Sequence, residues 1–255
     1  MTVIHKSFPV GPLQCNCTIL GNTETGKGYL IDPGGDPDLI MQTIKEMKIE
    51  LEGIYHTHAH FDHFLASAEI KEKTGAPIYL HESDQFLWDS LEMQCSFFNI
   101  EFKPTPPPDF KIEDQQELDQ CSGVCLHTPG HTPGSVSFHF ESAKLLVAGD
   151  TLFQGSVGRT DLPGGDFGQL KHSIKEKIYT LDESTKVITG HGPETSIENE
   201  MVNNMVIRYN SWESFYFLFK KEYALNEHNK PIAKVITETF PLCANSLVNM
   251  AFDSR

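Results

Sequence analysis

The eight residues HTHAHFDH at positions 56–63 set four histidines and one aspartate within reach of one another. Imidazole and carboxylate are the usual protein donors to divalent transition metals. A cluster this dense needs a rigid platform beneath it, and a complete metal site needs further donors from elsewhere in the chain. His58 and His60 lie two residues apart on an extended segment, so they project to the same side. Asp62 and His63 follow where the chain turns toward a helix, which lets them face a second centre. Three more candidate donors stand beside glycine at the ends of apolar runs or before one: His131 in TPGHTPGS, Asp150 in LLVAGDTLF and His191 in VITGHGPE. Donors on loops next to strands suit a site built over a sheet edge. Glycine lets the backbone turn tightly beneath them.

The rest of the pattern says what the platform is. VIHKSFPV, CTILGN, KGYLID, LEGIYHT and PIYL read as strands. Further β-like runs fall around QELDQ, GVCLHT, SVSFHF, KLLVAGD and KVITG. Helices are expected from Asp36-Pro37, with Asp36 as N-cap and Pro37 at the first helical position. Others are expected over 64–73, over 82–99, and from the Asp166…Gln169 pair through DFGQLKHSIKEKIYTL. A Pro-rich connector, KPTPPPDF, separates two β blocks. Two β blocks interleaved with helices predict two packed sheets covered by helices. The pattern changes near residue 200. Trp212, Phe215, Tyr216 and Phe219 then form an apolar helical stripe in NSWESFYFLFKK. The division expected is a catalytic domain over 1–200 and a helical extension over 201–255. The stripe is open to three roles: packing on its own core, a homo-oligomer contact, or a wall of the substrate pocket.

A chain of 255 residues can build one substantial layered domain. Its net charge of −15, from 20 Lys+Arg against 35 Asp+Glu, argues against nucleic acid as a partner. An anionic substrate would need a local positive focus, which a bound pair of divalent cations supplies. MTVIHKSFPVGPL has no basic stretch followed by an apolar run, and no segment has the apolar length of a membrane span. A cytoplasmic location is therefore expected, with no membrane partner. The six cysteines (15, 17, 95, 121, 125 and 243) lack paired chelating spacings and are expected to be reduced, buried thiols.

The string His58-Ala-His60-Phe-Asp62-His63, followed by His131, Asp150 and His191, resembles the metallo-β-lactamase superfamily. LIDPGGD, HTPGHTPGS, GDTLFQGSVGRTDLPGGD and GHGPET resemble its glyoxalase II-like branch, over roughly residues 3–200. The resemblance implies a four-layer αββα sandwich with the site at one edge, here followed by the C-terminal helical extension. It assigns His58, His60 and His131 to one metal and Asp62, His63 and His191 to a second, with Asp150 bridging. It also implies that Asp32, in LIDPGG, orients a ligand imidazole through its other N–H. The alternative for Asp32 is a turn aspartate before Pro-Gly-Gly. Arg159, in SVGRTDLP, resembles a basic position that meets a substrate carboxylate; pairing with Asp161 or Asp166 is equally open.

Two divalent ions carry four positive charges. Asp62 and Asp150, the candidate catalytic carboxylates, remove two, and a bridging hydroxide removes one more. The surplus is left to polarise a carbonyl, while a metal-held water loses its proton near neutral pH. The chain shows no GxSxG elbow, Walker loop or GxGxxG fingerprint. The expected activity is hydrolysis of a thioester such as S-lactoylglutathione by attack of a metal-bound hydroxide. Zinc is the first expectation for both ions, with iron or manganese as alternatives. A thioester fits because a thiol of pKa ~8.5 leaves without an obvious acid. Glutathione itself is less firmly implied, because Asp161 stands where a glutathione thioesterase is expected to carry tyrosine. The competing activity is a glutathione persulfide dioxygenase with a single iron on His58, His131 and Asp150.

Overall fold

The structure is a computed structural model, and it describes residues 2–208. Strands β1 (Val3–Val10), β2 (Cys15–Asn22) and β3 (Lys27–Ile31) form an antiparallel meander. Helix α1 (Pro37–Met47) crosses over to β4 (Glu50–Tyr55), which pairs parallel with β3. A single 3₁₀ turn over Phe61–His63 leads to α2 (Ser67–Thr74), and β5 (Ile78–His81) pairs parallel with β4. Helices α3 (Gln85–Asp89) and α4 (Leu91–Phe97) follow, and β6 (Phe110–Ile112) completes a six-stranded sheet in the order β1-β2-β3-β4-β5-β6.

The second sheet begins with β7 (Glu117–Leu118), β8 (Gly123–His127), β9 (Val136–Phe140) and β10 (Leu145–Gly149). A small hairpin, β11 (Leu152–Phe153) with β12 (Ser156–Val157), and helix α5 (Phe167–Ser173) intervene. β13 (Lys186–Thr189) then pairs parallel with β10, and β14 (Thr195–Ser196) leads into α6 (Ile197–Asn203). The order is β14-β13-β10-β9-β8-β7.

Three apolar layers hold four structural layers together. Ile19, Leu30 and Ile54 face Ile40, Ile44 and Ile70 of α1 and α2. Tyr29, Ile31 and Tyr55 face Phe138, Leu145 and Val147 across the gap between the sheets. Leu146, Ala148 and Val187 face Leu170 of α5 and Ile197 of α6. The period-2 alternation of strand side chains explains this division. In β10, Leu145 and Val147 point to the sheet interface, while Leu146 and Ala148 point to the helices. Both faces are buried, so LLVA reads as an unbroken apolar run. The expected αββα sandwich is the observed fold.

Local differences have physical causes. Asp36 does not cap α1: it is left-handed (φ 48°), and its carboxylate accepts a hydrogen bond from the Gly11 N–H at 2.8 Å. The stretch expected to be helical over 64–73 starts at Ser67, after the 3₁₀ turn. The one over 82–99 breaks at Ser90 into α3 and α4. Asp166 does cap α5, accepting from Gln169 N at 2.8 Å, but the helix widens into a π turn over Ile174–Ile178. The expected division at residue 200 falls inside α6. The aromatic stripe at 212–219 and Cys243 lie outside the described residues. Cys15, Cys17, Cys95, Cys121 and Cys125 are free and buried, as expected. No helix among the described residues is long and apolar enough to cross a membrane.

Candidate metal centre

The C-terminal ends of β4, β10 and β13 and the N-terminal end of β9 meet at one edge of the sandwich. Backbone bonds lock these ends together: Val136 N–H to Thr57 O (2.8 Å), Gly190 N–H to Gly149 O (2.7 Å) and Asn16 N–H to Gly190 O (2.8 Å). All seven predicted donors converge on this edge. His58 Nε2 and His131 Nε2 each lie 3.0 Å from His60 Nδ1. His191 Nε2 lies 3.1 Å and His63 Nε2 3.8 Å from Asp62 Oδ2. Asp150 stands between the two groups. Its Oδ2 is 3.6 Å from His131 Nε2, whereas its Oδ1 is 3.5 Å from His63 Nε2 and 3.7 Å from His191 Nε2.

The other ring nitrogens show how the imidazoles are aimed. His131 Nδ1 lies 2.7 Å from Arg159 O, and His191 Nδ1 lies 3.0 Å from Leu13 O. A carbonyl only accepts, so both Nδ1 atoms carry the proton and both Nε2 lone pairs point inward. His63 Nδ1 donates to Asp32 Oδ2 at 3.0 Å. Asp32 also accepts from Thr57 N (2.8 Å) and Thr57 Oγ1 (2.6 Å), which leaves the Thr57 oxygen to accept from His58 Nδ1 at 3.1 Å. Asp32 is buried and left-handed (φ 51°), a conformation that Asp and Asn tolerate better than most residues. It therefore accepts the N–H of the His63 imidazole and also orders the turn.

Two atoms of this cluster have no hydrogen-bond partner among the described residues, though both are buried: His63 Nε2 and Asp150 Oδ1. Orphaned buried polar atoms are costly unless something satisfies them. A cation between them would do so, and two sets of three donors with a shared carboxylate have the chemistry to hold a pair of divalent ions. The residues fit the implied metals.

Charge agrees with this. Burial, then the neighbouring imidazoles, hold His58 far below the ordinary histidine range; burial and His131 hold His60 at about 3. Both therefore present neutral lone pairs. Burial also works to lower His63, yet Cys15, Asp32, Asp150 and Asp62 outweigh it and raise its pKa overall. Asp150 responds in reverse: burial would raise it, but His63, His131 and His191 bring it well below the carboxylate range. The pocket favours positive charge between His63 and Asp150.

Glycine makes room for this packing at two points. A Cβ on Gly190 would overlap Asp150 Oδ1, and one on Gly34 would overlap the Asp62 carbonyl. Arg159 is exposed, and its guanidinium forms a two-pronged bond to Asp161 at 2.7 and 2.8 Å. Its contribution to the cluster is its carbonyl. The remaining histidines among the described residues stay outside. His127 stacks on His81 with ring centroids 4.1 Å apart, His139 lies in β9, and His56 bonds Ser67 Oγ at 3.2 Å. Sequence reasoning missed Thr57, Asp84 and the carbonyls of Leu13 and Arg159. Thr57, lying between His56 and His58, is the one whose position could have drawn attention to it.

Two helix-covered sheets with a histidine–aspartate cluster over their common edge define the αββα metallo-hydrolase class. A family model described as the metallo-beta-lactamase superfamily matches residues 10–191, and the chain belongs to that superfamily. It is 43% identical over 203 residues to the probable metallo-hydrolase YqgX of Bacillus subtilis, covering 78% of this chain and 95% of that protein. It is 36% identical over 201 residues to the hydroxyacylglutathione hydrolase GloC of Haemophilus influenzae, covering 77% of this chain and 94% of that one. Among solved structures, it resembles TTHA1623 in a di-iron-bound form. That match has a TM-score of 0.74 and 34% identity, and covers 79% of this chain and 100% of that one.

Proposed function

We propose that this protein is a hydrolase with a dinuclear metal centre that splits a thioester of the S-lactoylglutathione kind into thiol and acid. In this reading His58, His60 and His131 would hold one divalent ion, Asp62, His63 and His191 would hold the other, and Asp150 would serve both. The carrying observation is Asp150: one oxygen faces the first donor set and the other faces the second. A single-iron dioxygenase on His58, His131 and Asp150 leaves the second set of three without a role. The hydroxyacylglutathione hydrolase name of one relative and the di-iron form of another are in keeping with the dinuclear reading.

When bound, the ions supply Lewis acidity for the substrate carbonyl and lower the pKa of water to near neutrality. The chain does the rest. Nδ1–H bonds donated to Arg159 O, Leu13 O and Asp32 Oδ2 keep the Nε2 lone pairs of His131, His191 and His63 turned inward. Asp62 and Asp150 offset part of the cationic charge and leave a surplus for the developing oxyanion. The leaving thiolate, of pKa ~8.5 as the free thiol, departs without a dedicated acid.

The test is elemental analysis of protein purified without added metal, run beside a panel of S-lactoylglutathione, other acyl thioesters, a β-lactam and glutathione persulfide. Two divalent ions per chain, thioester turnover and its loss in His58→Ala are expected. One iron per chain with oxygen uptake on the persulfide would transfer the protein to the dioxygenase reading. Arg159→Ala separates the two roles open to that residue: a raised KM with unchanged melting temperature supports contact with a substrate carboxylate.

A further inference from the structure

Asp84 contacts none of the seven donors, yet it is completely buried. It ends the short turn Glu82–Asp84 that precedes α3. Its Oδ2 accepts from the Ala59 N–H at 3.0 Å and from Thr132 Oγ1 at 2.7 Å, and its Oδ1 accepts from the Gly134 N–H at 2.6 Å. Ala59 sits between His58 and His60, and Thr132 follows His131. One carboxylate thus grips both loops that carry the first donor set, although His60 and His131 are 71 residues apart in the chain. The fit is close: a Cβ on Gly134 would come within 2.6 Å of Asp84 Cγ. Gln94 of α4 supports one side of this clamp, accepting from Phe61 N at 3.1 Å and donating to Ala59 O at 3.2 Å. It does not reach the His131 loop. The second donor set is anchored differently, through Asp32 behind His63 and Leu13 O behind His191.

We propose that Asp84 is a positioning residue that sets the spacing between the His58–His60 pair and His131, and so governs retention of the first ion but not the second. The three groups that face it are all donors, so an acceptor on both oxygens is what the site requires. Asparagine keeps the shape but turns one oxygen into a donor, which must then face an N–H or the Thr132 hydroxyl. With the amide nitrogen at the Oδ1 position the Gly134 bond is lost, and at the Oδ2 position the Ala59 bond is lost, so the hold on one loop weakens and the three nitrogens no longer converge as closely. Groups behind metal ligands typically alter affinity by about 10–100-fold.

This inference rests on the dinuclear reading, and the experiment keeps the two apart. The full-length metal-loaded protein and Asp84→Asn are challenged with a chromogenic chelator, with metal content measured in parallel. The wild type is expected to carry two ions. In Asp84→Asn one ion should be released at least about tenfold more readily, while the other keeps wild-type resistance. The ion retained by His58→Ala should be unaffected by adding Asp84→Asn, and the ion retained by His191→Ala should be weakened by it. A residue that only stabilised the fold would lower the melting temperature without splitting the two ions. Wild-type retention of both ions in Asp84→Asn, or equal loss of both, overturns the proposal. Fewer than two ions on the wild type overturns the dinuclear reading before any variant is compared. Should Asp84→Asn fail to fold, Thr132→Val decides, since it removes one donor and leaves the carboxylate two. It should show the same selective loss in weaker form, and an unchanged first ion overturns the proposal.

Discussion

Replacing Asp32 with Asn isolates one proton. Asn is isosteric with Asp and tolerates the left-handed backbone at this position (φ 51°), so the turn itself is not strained. Thr57 N is a fixed backbone donor 2.8 Å from Oδ1, and keeps the amide oxygen there. The amide nitrogen then occupies the Oδ2 position, facing Thr57 Oγ1 and His63 Nδ1. The hydroxyl can rotate. His63 can keep its hydrogen bond to residue 32 only by accepting, which favours the proton on Nε2, the atom turned toward Asp62, Asp150 and the proposed second ion. The variant thus blocks a donor without touching it. The expected loss is about 10–100-fold in affinity at the Asp62–His63–His191 set, or about 1.4–2.7 kcal/mol, with the first ion retained. Chelator competition with elemental analysis measures it, and ¹⁵N spectra of the histidine side chains report the tautomer. A second ion held as tightly as in the wild type would refute the tautomer argument, as would an Nδ1–H signal for His63 in the metal-free variant.

Other outcomes follow from the same geometry. Gly190→Ala should displace the Asp150 carboxylate, costing about 1–3 kcal/mol through overpacking and weakening both proposed ions; wild-type melting and metal content would contradict this. Chelation should lower the melting temperature by about 5–11 °C for each ion present at a hundred times its Kd, and identical melts with and without chelator would argue against structural metal. His81 has its pKa brought down to about 4 by burial and by His127, against Asp114 and Glu82. Its neutral form is favoured in the fold, so stability should decline as pH falls from about 6.5 toward about 4 and level off below. His81→Gln should flatten that part of the pH–melting profile, and an unchanged slope would remove His81 as its source.

The local code carried the candidate donors and the strands. HTHAHFDH, and the glycine-flanked His131, Asp150 and His191, are legible because metal donors need few residue types and tight turns need glycine. LLVAG is legible because a strand buried on both faces must be apolar throughout. What lay outside that code was decided by chain segments far apart in sequence. Leu13 O and Arg159 O aim two imidazoles, but every residue has a carbonyl, so nothing in the amino-acid string marks these two. Asp36 looks like a helix cap until Gly11, brought alongside by the β1–β2 turn, takes its carboxylate. Asp84 stands in HESDQ with no motif around it, and only packing reveals that it joins the Ala59 and Thr132 loops. Side-chain chemistry is written residue by residue. Its orientation depends on backbone groups and burial that exist only once the sheets have closed on one another.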